Sequence, residues 1–167
     1  MLQIFTTGGT IDKVYFDAKS DFQVGDPQIV ELLKQVGATV DYQAETLLRK
    51  DSLEITDDDR ARIVQRVRDC EATQVIITHG TDTMAQTGRA IEAALRFPPD
   101  AAKTVVLVGS LTPARFRHTD AEFNIGFAVG AVQSLAPGVY VAMNGKIFSA
   151  GAVRKNRAAN RFEVEAG

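Results

Sequence analysis

The sequence predicts an α/β fold of three layers, in which an open, mostly parallel sheet has helices on both faces and a C-terminal β-hairpin. Residues 75–77 and 104–108 are continuous apolar runs rich in β-branched side chains, typical of strands covered on both faces. Helical patterns alternate with these runs, which favours right-handed crossovers into a parallel sheet. Asn144-Gly145 separates two further short strands and suits the type I′ turn of a hairpin.

Local signals at the ends of the elements predict their order. Thr56 opens a helix with three aspartates in its first turn, where the helix dipole favours acids. Asp26 is predicted to cap the preceding helix, with Pro27 at its first position and Gly37 at its end. Strands are predicted at residues 2–7, 39–48, 75–77, 104–108, 139–143 and 146–149. Helices are predicted at residues 27–36, 57–70, 84–96 and 122–135, with prolines 98 and 99 after the third.

The segment of residues 13–24, between the first strand and the first helix, has no clear hydrophobic period. It is polar with interspersed aromatic residues and follows a glycine-rich turn. Such a segment is compatible with a mobile lid and equally with a simple hairpin. The sequence leaves both interpretations open.

Length and composition indicate one globular domain, residues 1–167. A chain of 167 residues buries roughly 68–70% of its unfolded surface, enough for a hydrophobic core. The net charge of −2 gives no electrostatic case for nucleic acid binding. The chain starts directly with a strand and has no long apolar run, so neither a signal peptide nor a membrane span is expected. With Cys70 as the single cysteine, neither a disulfide framework nor a cysteine metal site is expected, and the cytoplasm is the expected compartment.

Polar side chains are concentrated where the central predicted strand ends. Residues 78–83 carry three threonines, His79 and Asp82 around Gly80, directly before a helical pattern that begins at Met84. One helix cap needs only one such side chain. In open α/β sheets, ligands bind at the carboxyl edge, where helix N-termini present unpaired N–H groups. This stretch therefore predicts a functional site.

Three other predicted strand ends carry the same kind of loop, at residues 7–12, 49–54 and 109–113. In the first, Gly8 and Gly9 allow positive φ and close approach of the backbone to a ligand. The loop has neither a GxGxxG pattern nor a GK[ST] ending, so a nucleotide site is not supported. The parallel strands bring all these loops to one edge of the sheet.

Five motifs together resemble the bacterial-type L-asparaginase family. They occur in the family's order across nearly the whole chain, and the combination of the first with the third is highly specific. The motifs are TGGTI at residues 7–11, DSLEI at 51–55, HGTDTM at 79–84, VVLVGS at 105–110 and Val-x-Lys at 153–155.

The resemblance implies hydrolysis of the side-chain amide of L-asparagine to L-aspartate and ammonia, without a cofactor or a metal. It places the nucleophile on Thr10 and a triad on Thr81, Asp82 and Lys155. Tyr15 is the nearest hydroxyl that could take the place of the family's lid tyrosine, because Phe22 aligns with that position. The residues expected to bind substrate are Gly9, Asp51, Ser52, Leu53, Gly80 and Ser110.

The chemistry of these residue types agrees with that assignment. A threonine hydroxyl is a weak nucleophile unless a base takes its proton. A lysine in a poorly solvated site can supply that base, whereas a nearby carboxylate stabilises its ammonium form. Asp82 is the expected partner of the substrate's α-ammonium, and N–H groups near Ser52 are expected to hold its α-carboxylate. Oxyanion donors are expected in the 8–10 turn or at Ser110.

Several alternatives remain open on the sequence alone. His79 beside the hydroxyls could act as a base of the Ser/His type, although strand-end histidines are more often structural. Two distant histidines without a cysteine pair do not support a metal site. The activity could instead be that of a glutaminase or of an ammonia-releasing amidotransferase subunit. A non-catalytic amino-acid-binding domain is the third alternative.

The sequence departs from the family in ways that affect these expectations. Familiar members have a second, C-terminal domain, which completes the site of a neighbouring subunit, and this domain is expected to be absent here. Leu53 stands where longer members often carry a polar residue, so one contact to the ammonium is lost.

A homodimer or larger homo-oligomer is expected from the helix at residues 122–135, whose apolar residues occupy most of its circumference. Gly126 and Gly130 lie four residues apart and allow a second element to approach closely. Burial of this helix under the C-terminal hairpin is the alternative.

Overall fold

A six-stranded sheet forms the centre of the computed structural model, which describes residues 1–17, 20–95 and 102–165. The strands are β1 Leu2–Gly8, β2 Lys13–Phe16, β3 Asp21–Val24, β4 Tyr42–Lys50, β5 Gln74–Thr78, β6 Thr104–Val108, β7 Gly138–Met143, β8 Lys146–Ser149, β9 Val153–Asn156 and β10 Arg161–Val164. The α-helices are α1 Ile29–Gln35, α2 Asp57–Asp69, α3 Met84–Ala94 and α4 Ala121–Ser134. None of the described helices is long and apolar enough to cross a membrane.

The strand order in the sheet is β4-β1-β5-β6-β7-β8, and only the last strand is antiparallel to its neighbour. The predicted mostly parallel sheet with a mixed edge is therefore confirmed. Thr6 lies opposite Thr78, and Thr78 lies opposite Val108, so β1, β5 and β6 end at one level. The loops that follow these strands start from the same edge of the sheet.

Both faces of the sheet are covered, which explains the continuous apolar runs. Ile77 and Leu107 belong to the core beneath α2 and α3, whereas Ile76 and Val106 belong to the core beneath α1 and α4. Successive side chains of a strand point to opposite faces, so a strand between two helical layers needs apolar residues at every position. The result is the three-layer arrangement that the sequence predicts.

The β7–β8 hairpin is confirmed, with Asn144 and Gly145 at its turn. Their φ angles are 49° and 80°, the left-handed conformation that a type I′ turn requires at both central residues. Within residues 13–24, β2 and β3 pair antiparallel with Lys13 opposite Val24, as in a hairpin. That this segment acts as a mobile lid stays a prediction.

The predicted start of α1 is wrong, since the helix begins at Ile29 and its N-cap is Gln28. The carboxylate of Asp26 forms an ion pair with Arg49 at 2.8 Å. The Gln28 N–H instead donates to the side chain of Asp12, which is distant in sequence. The predicted end of α3 at Arg96 and the prolines after it lie outside the described residues, and the described helix ends at Ala94.

The hairpin of β9 and β10 was not predicted, because its strands are short and mostly polar. In β9, Val153 is buried, and its carbonyl accepts a hydrogen bond from the guanidinium of Arg89 on α3 at 2.9 Å. Ala150, just before β9, packs so closely on Gly88 of α3 that a Cβ there would lie 2.9 Å from the Ala150 Cβ. These contacts fix the hairpin beside the loop that follows β5.

Candidate active site

The turns that follow β1, β4 and β5 touch one another at Gly9, Ser52 and Gly80. Gly9 has φ +92°, and a Cβ at this position would overlap the backbone of Gly80. A Cβ on Gly80 would in turn lie 2.6 Å from the Cβ of Ser52. Glycine is required at both positions by these approaches, which bring the turns carrying Thr10, Thr81 and Ser52 together.

Lys155 connects the hydroxyl of Thr81 with the carboxylate of Asp82. Its Nζ donates to Thr81 Oγ1 at 2.7 Å and to Asp82 Oδ1 at 2.8 Å. The lysine side chain is only 11% exposed, whereas that of Asp82 is 32% exposed. Lysine and threonine are thus in direct hydrogen-bond contact, the geometry that proton transfer between them requires. Asp82 still presents part of its carboxylate to solvent, where a ligand can reach it.

Two strands far apart in sequence supply this cluster. Thr81 and Asp82 follow β5, and Lys155 lies on β9, where it pairs with Phe162 of β10. Arg157, one residue beyond β9, places its Nε 3.7 Å from Asp82 Oδ1. The described part of the chain contains no group of three or more His, Cys, Asp or Glu side chains that could hold a metal ion.

The turn after β4 is held rigidly around Ser52. Asp51 accepts the N–H of Leu53 at 3.1 Å and forms an ion pair with Lys13 of the β2–β3 hairpin at 2.6 Å. Burial raises the pKa of Asp51, but Lys13 and the Leu53 N–H outweigh it and keep the pKa below its usual range. The hydroxyl of Thr83 donates to the Ser52 carbonyl at 2.7 Å. Ser52 is buried, whereas the side chain of Leu53 is exposed.

The backbone N–H groups expected to hold an oxyanion differ in their availability. The Gly9 N–H donates to the Lys50 carbonyl at 2.9 Å, because β4 continues alongside the turn, so it is not free for a ligand. Ser110 is buried next to Gly109, and its hydroxyl donates to the Thr112 carbonyl at 2.5 Å. The N–H groups of Thr10 and Ser110 are the remaining candidates from the two predicted loops.

His79 is fully buried and uses both ring nitrogens within the fold. Its Nδ1 donates to the Gly80 carbonyl at 2.8 Å, and its Nε2 accepts from the hydroxyl of Thr87 at 2.8 Å. Burial lowers the pKa of His79 to about 4, so the ring is neutral at physiological pH. A base must reach the proton that it removes. The structure therefore contradicts a Ser/His-type role for His79 and shows a residue that fixes the Gly80 turn.

Tyr15 lies on the β2–β3 hairpin and is 53% exposed. Its ring packs against Phe22 with centroids 5.4 Å apart, and Phe22 packs against Phe116 at 5.9 Å. This aromatic cluster connects the hairpin to the loop after β6. No hydrogen bond of the Tyr15 hydroxyl is found among the described residues, so its catalytic role stays a prediction.

Asp12 is a buried carboxyl group that the sequence did not single out, two residues after Thr10. Its Oδ1 accepts the Gln28 N–H at 2.8 Å, while Oδ2 has no hydrogen-bond partner among the described residues. Burial raises the pKa of Asp12 to about 7, against the opposite effects of the Gln28 N–H and of Arg49. The folded protein therefore binds a proton here that the unfolded chain has lost.

This proton predicts a specific pH dependence of stability. The unfolded carboxyl releases its proton near pH 3.8 and the folded one near pH 7, so stability falls as pH rises between these values. The loss amounts to about 4 kcal/mol at most. Asp12→Asn should remove this dependence. The free energy of unfolding in urea, variant minus wild type, should therefore be more positive at pH 8 than at pH 5. If the stability of wild type and of Asp12→Asn changed equally between the two pH values, the assignment would be contradicted. Asp41→Asn, at an exposed position, is the control.

The fold and this site define the class of protein: an α/β domain with hydroxyl, carboxylate and lysine side chains assembled at the carboxyl edge of its parallel sheet. The family model described as "Asparaginase, N-terminal" matches residues 1–166. The chain belongs to this family, as its motifs suggested.

Individual relatives agree with this membership. An L-asparaginase of Thermococcus kodakarensis is 33% identical over 151 residues, which cover 87% of this chain and 44% of that protein. A solved structure described as the thermostable L-asparaginase from Thermococcus kodakarensis superposes with a TM-score of 0.84 at 29% identity over 98% of this chain and 50% of that chain. A probable cytoplasmic L-asparaginase from Campylobacter jejuni gives a TM-score of 0.73 at 30% identity over 98% of this chain and 51% of that chain.

One relative has a broader name. A glutaminase-asparaginase of Acinetobacter glutaminasificans is 30% identical over 164 residues, which cover 91% of this chain and 48% of that protein. The chain thus spans about half the length of the curated relatives that it matches.

Proposed function

We propose that this chain is an L-asparaginase that hydrolyses L-asparagine to L-aspartate and ammonia through a threonine nucleophile. The observation that supports it most is the contact of Lys155 Nζ with Thr81 Oγ1 at 2.7 Å, beside the turn that carries Thr10. A hydroxyl with a lysine in hydrogen-bond reach can serve as a proton relay. The names of the matched relatives point to the same reaction.

In the proposed reaction the Thr10 hydroxyl attacks the amide carbon, and ammonia leaves from the resulting tetrahedral intermediate. Water then hydrolyses the ester on Thr10 and releases aspartate. Thr81 and Lys155 move the protons of both steps, because a threonine hydroxyl needs such help to react. The N–H groups of Thr10 and Ser110 are assigned to hold the oxyanion, where one good donor contributes about 2.7–4 kcal/mol.

Substrate orientation is assigned to two groups of the site that bind the α-carbon substituents. Asp82, whose carboxylate is partly exposed, binds the α-ammonium, and the rigid turn of Ser52 binds the α-carboxylate. Fixing both charges of the amino acid holds its side-chain amide beside Thr10, and such orientation lowers the barrier. The proposed reaction needs only the amino acid and water as reactants and uses no cofactor.

The proposal predicts a preference for asparagine over glutamine, because binding of the α-ammonium and the α-carboxylate fixes the α-carbon at one distance from Thr10. One methylene in a fitted pocket changes the barrier by about 1–3 kcal/mol, so kcat/KM should differ by roughly 10–200-fold. Ammonia release by the purified chain from each amide measures this directly, with D-asparagine as the stereochemical control. Equal kcat/KM values for asparagine and glutamine would contradict the assignment.

The same assay separates the proposed function from its alternatives. A preference for glutamine indicates a glutaminase, and ammonia release only with an added partner indicates an amidotransferase subunit. Calorimetric binding of L-aspartate without ammonia from any amide indicates an amino-acid-binding domain. The buried contact between lysine and threonine favours the enzyme over a binding domain, since binding alone does not need it.

We propose a homodimer or larger homo-oligomer that uses the outer face of α4. Ile125 and Ala128 of α4 are buried against the sheet, whereas Phe123 is 61% exposed on the opposite side. Nothing described lies within 4 Å of a Cβ added at Gly126 or Gly130. The face exposes an aromatic ring and two glycines beside polar side chains, and it is open to a second copy of the same helix, the commonest arrangement being two-fold.

Gly130→Arg should dissociate this dimer without unfolding it, because the arginine would place a charge between the two helices. Light scattering after size exclusion at low micromolar concentration measures the mass, and Gln65→Arg on the exposed side of α2 is the control. A stable, active wild-type monomer would refute the proposal.

We also propose that the protein works in the cytoplasm. One matched structure is titled a probable cytoplasmic L-asparaginase, and the low cysteine content, with Cys70 alone, is compatible with a reducing compartment. Fractionation of cells that express the chain, followed by the ammonia assay on each fraction, tests this assignment.

A further inference from the structure

Asp120 is the most densely hydrogen-bonded carboxylate outside the Lys155 cluster. It is the N-cap residue of α4, yet its side chain does not cap that helix. Oδ1 accepts the N–H groups of Leu111 and Thr112 at 3.0 and 3.1 Å and the Thr112 hydroxyl at 3.0 Å. Oδ2 accepts the side-chain amides of Asn124 and Asn144 at 2.9 and 3.2 Å. The carboxylate thus binds the loop after β6 together with Asn124 of its own helix.

Asn124 extends this connection. It is fully buried, and its Nδ2 also donates to the Gly109 carbonyl at 3.0 Å. Its Oδ1 accepts the N–H of Asn144, the first residue of the β7–β8 turn, at 3.0 Å. Asp120 and Asn124 together hold both ends of the segment from Gly109 to Thr112, which contains Ser110.

This loop touches both threonine-bearing turns. A Cβ on Gly109 would overlap the carbonyl of His79, so the two backbones lie in direct contact beside Gly80 and Thr81. Further along the loop, the Ala114 N–H donates to the carbonyl of Ile11, next to Thr10, at 3.1 Å. A shift of the loop would therefore displace Thr10, Thr81 and the Ser110 N–H relative to one another.

We propose that Asp120 is a positioning residue, which fixes the loop after β6 and, through it, the alignment of Thr10 with Thr81. Part burial raises the pKa of Asp120, but the N–H groups of Leu111 and Thr112 and the side chains of Asn144 and Thr112 outweigh it and keep the pKa below its usual range. The carboxylate is thus charged whenever the protein is folded near neutral pH. Hydrogen bonds to a charged acceptor are stronger than neutral ones, as a device that fixes a loop requires.

Asp120→Asn tests this inference with a nearly isosteric side chain. Its amide group turns a donor toward the donors of Asn124 and Asn144, so the loop loses its charged anchor. Hydrogen exchange of residues 109–115 and, through the Ile11 contact, of residues 8–14 should accelerate roughly tenfold or more. Glu122→Gln removes the same charge from the exposed first turn of α4 and should leave both segments unchanged. Exchange at residues 8–14 that rises no more in Asp120→Asn than in Glu122→Gln overturns the inference.

The kinetic arm rests on the proposed function. Misalignment of the reacting groups should lower kcat on the order of 100-fold while KM for asparagine changes less, because the substitution removes no group that binds the α-ammonium or the α-carboxylate. If Asp120→Asn does not fold, Thr112→Val removes one donor to the carboxylate and should give the same pattern with a smaller loss. An unchanged kcat in folded variants overturns the inference alone. A wild-type protein without ammonia release overturns the proposed function, and hydrogen exchange then decides the role of Asp120.

Discussion

Lys155→Met and Thr81→Val should each lower kcat by about 10²–10⁴-fold, the contribution expected of acid–base catalysis. The two side chains share one hydrogen bond of 2.7 Å and act on the same proton, so the double variant should lose little more than the worse single variant. Methionine keeps the apolar stem of Lys155, and valine keeps the shape of Thr81. Both changes should therefore leave the fold intact, as circular dichroism and thermal unfolding can show.

Lys146→Met is the matched control, because Lys146 lies on the neighbouring β8 strand and is exposed. It should retain wild-type turnover. Measured additivity of the two activation barriers in the Thr81 and Lys155 double variant would mean that these residues act independently.

Thr10→Val should remove turnover even more completely, on the order of 10⁴-fold or more, since no other hydroxyl replaces a lost nucleophile in the proposed reaction. Binding of L-aspartate should survive, because Asp82 and the Ser52 turn do not depend on the Thr10 hydroxyl. Calorimetry on the variant separates these two effects. Thr39→Val, at an exposed loop position, is the control and should be silent. A Thr10→Val variant with more than a tenth of wild-type kcat would assign the nucleophile elsewhere.

The fold was largely predictable because its strands carry the signal of burial on both faces. Residues 75–77 and 105–108 have apolar side chains at every position, and the structure packs them alternately on the two helical layers. The turn at Asn144-Gly145 was equally predictable, because Asn and Gly tolerate the positive φ that both residues adopt. Such features depend on local sequence and on one repeated physical rule.

Features that depend on distant contacts were not predictable. The start of α1 is set by Asp12, sixteen residues before the Gln28 N–H that it accepts. The position of β9, and hence of Lys155, follows from packing of Ala150 and Val153 on α3, which no period in the tail reveals. At the start of α1, the tertiary hydrogen bond of Gln28 to Asp12 thus outweighed the local capping signal at Asp26.

In the candidate site, the location of the residues was predictable, whereas their surroundings were not. Polar residues at strand ends indicated where Thr10, Ser52 and Thr81 lie, because parallel strands bring their carboxyl ends to one edge. Their electrostatic surroundings were not visible in the sequence. The engagement of the Gly9 N–H by Lys50 and the complete burial of His79 both depend on how separate loops pack. These contacts exclude the Gly9 N–H as an oxyanion donor and His79 as a base, which the motifs alone did not do.

Trapping of the covalent intermediate decides whether Thr10 is the nucleophile. The purified chain is mixed with L-asparagine, quenched in acid within the first turnovers, digested and analysed by mass spectrometry. We expect release of ammonia together with an aspartyl ester on the peptide that contains Thr10, and neither product from Thr10→Val. An ester on the peptide that contains Thr81, or the absence of ammonia from the wild-type protein, would contradict this expectation.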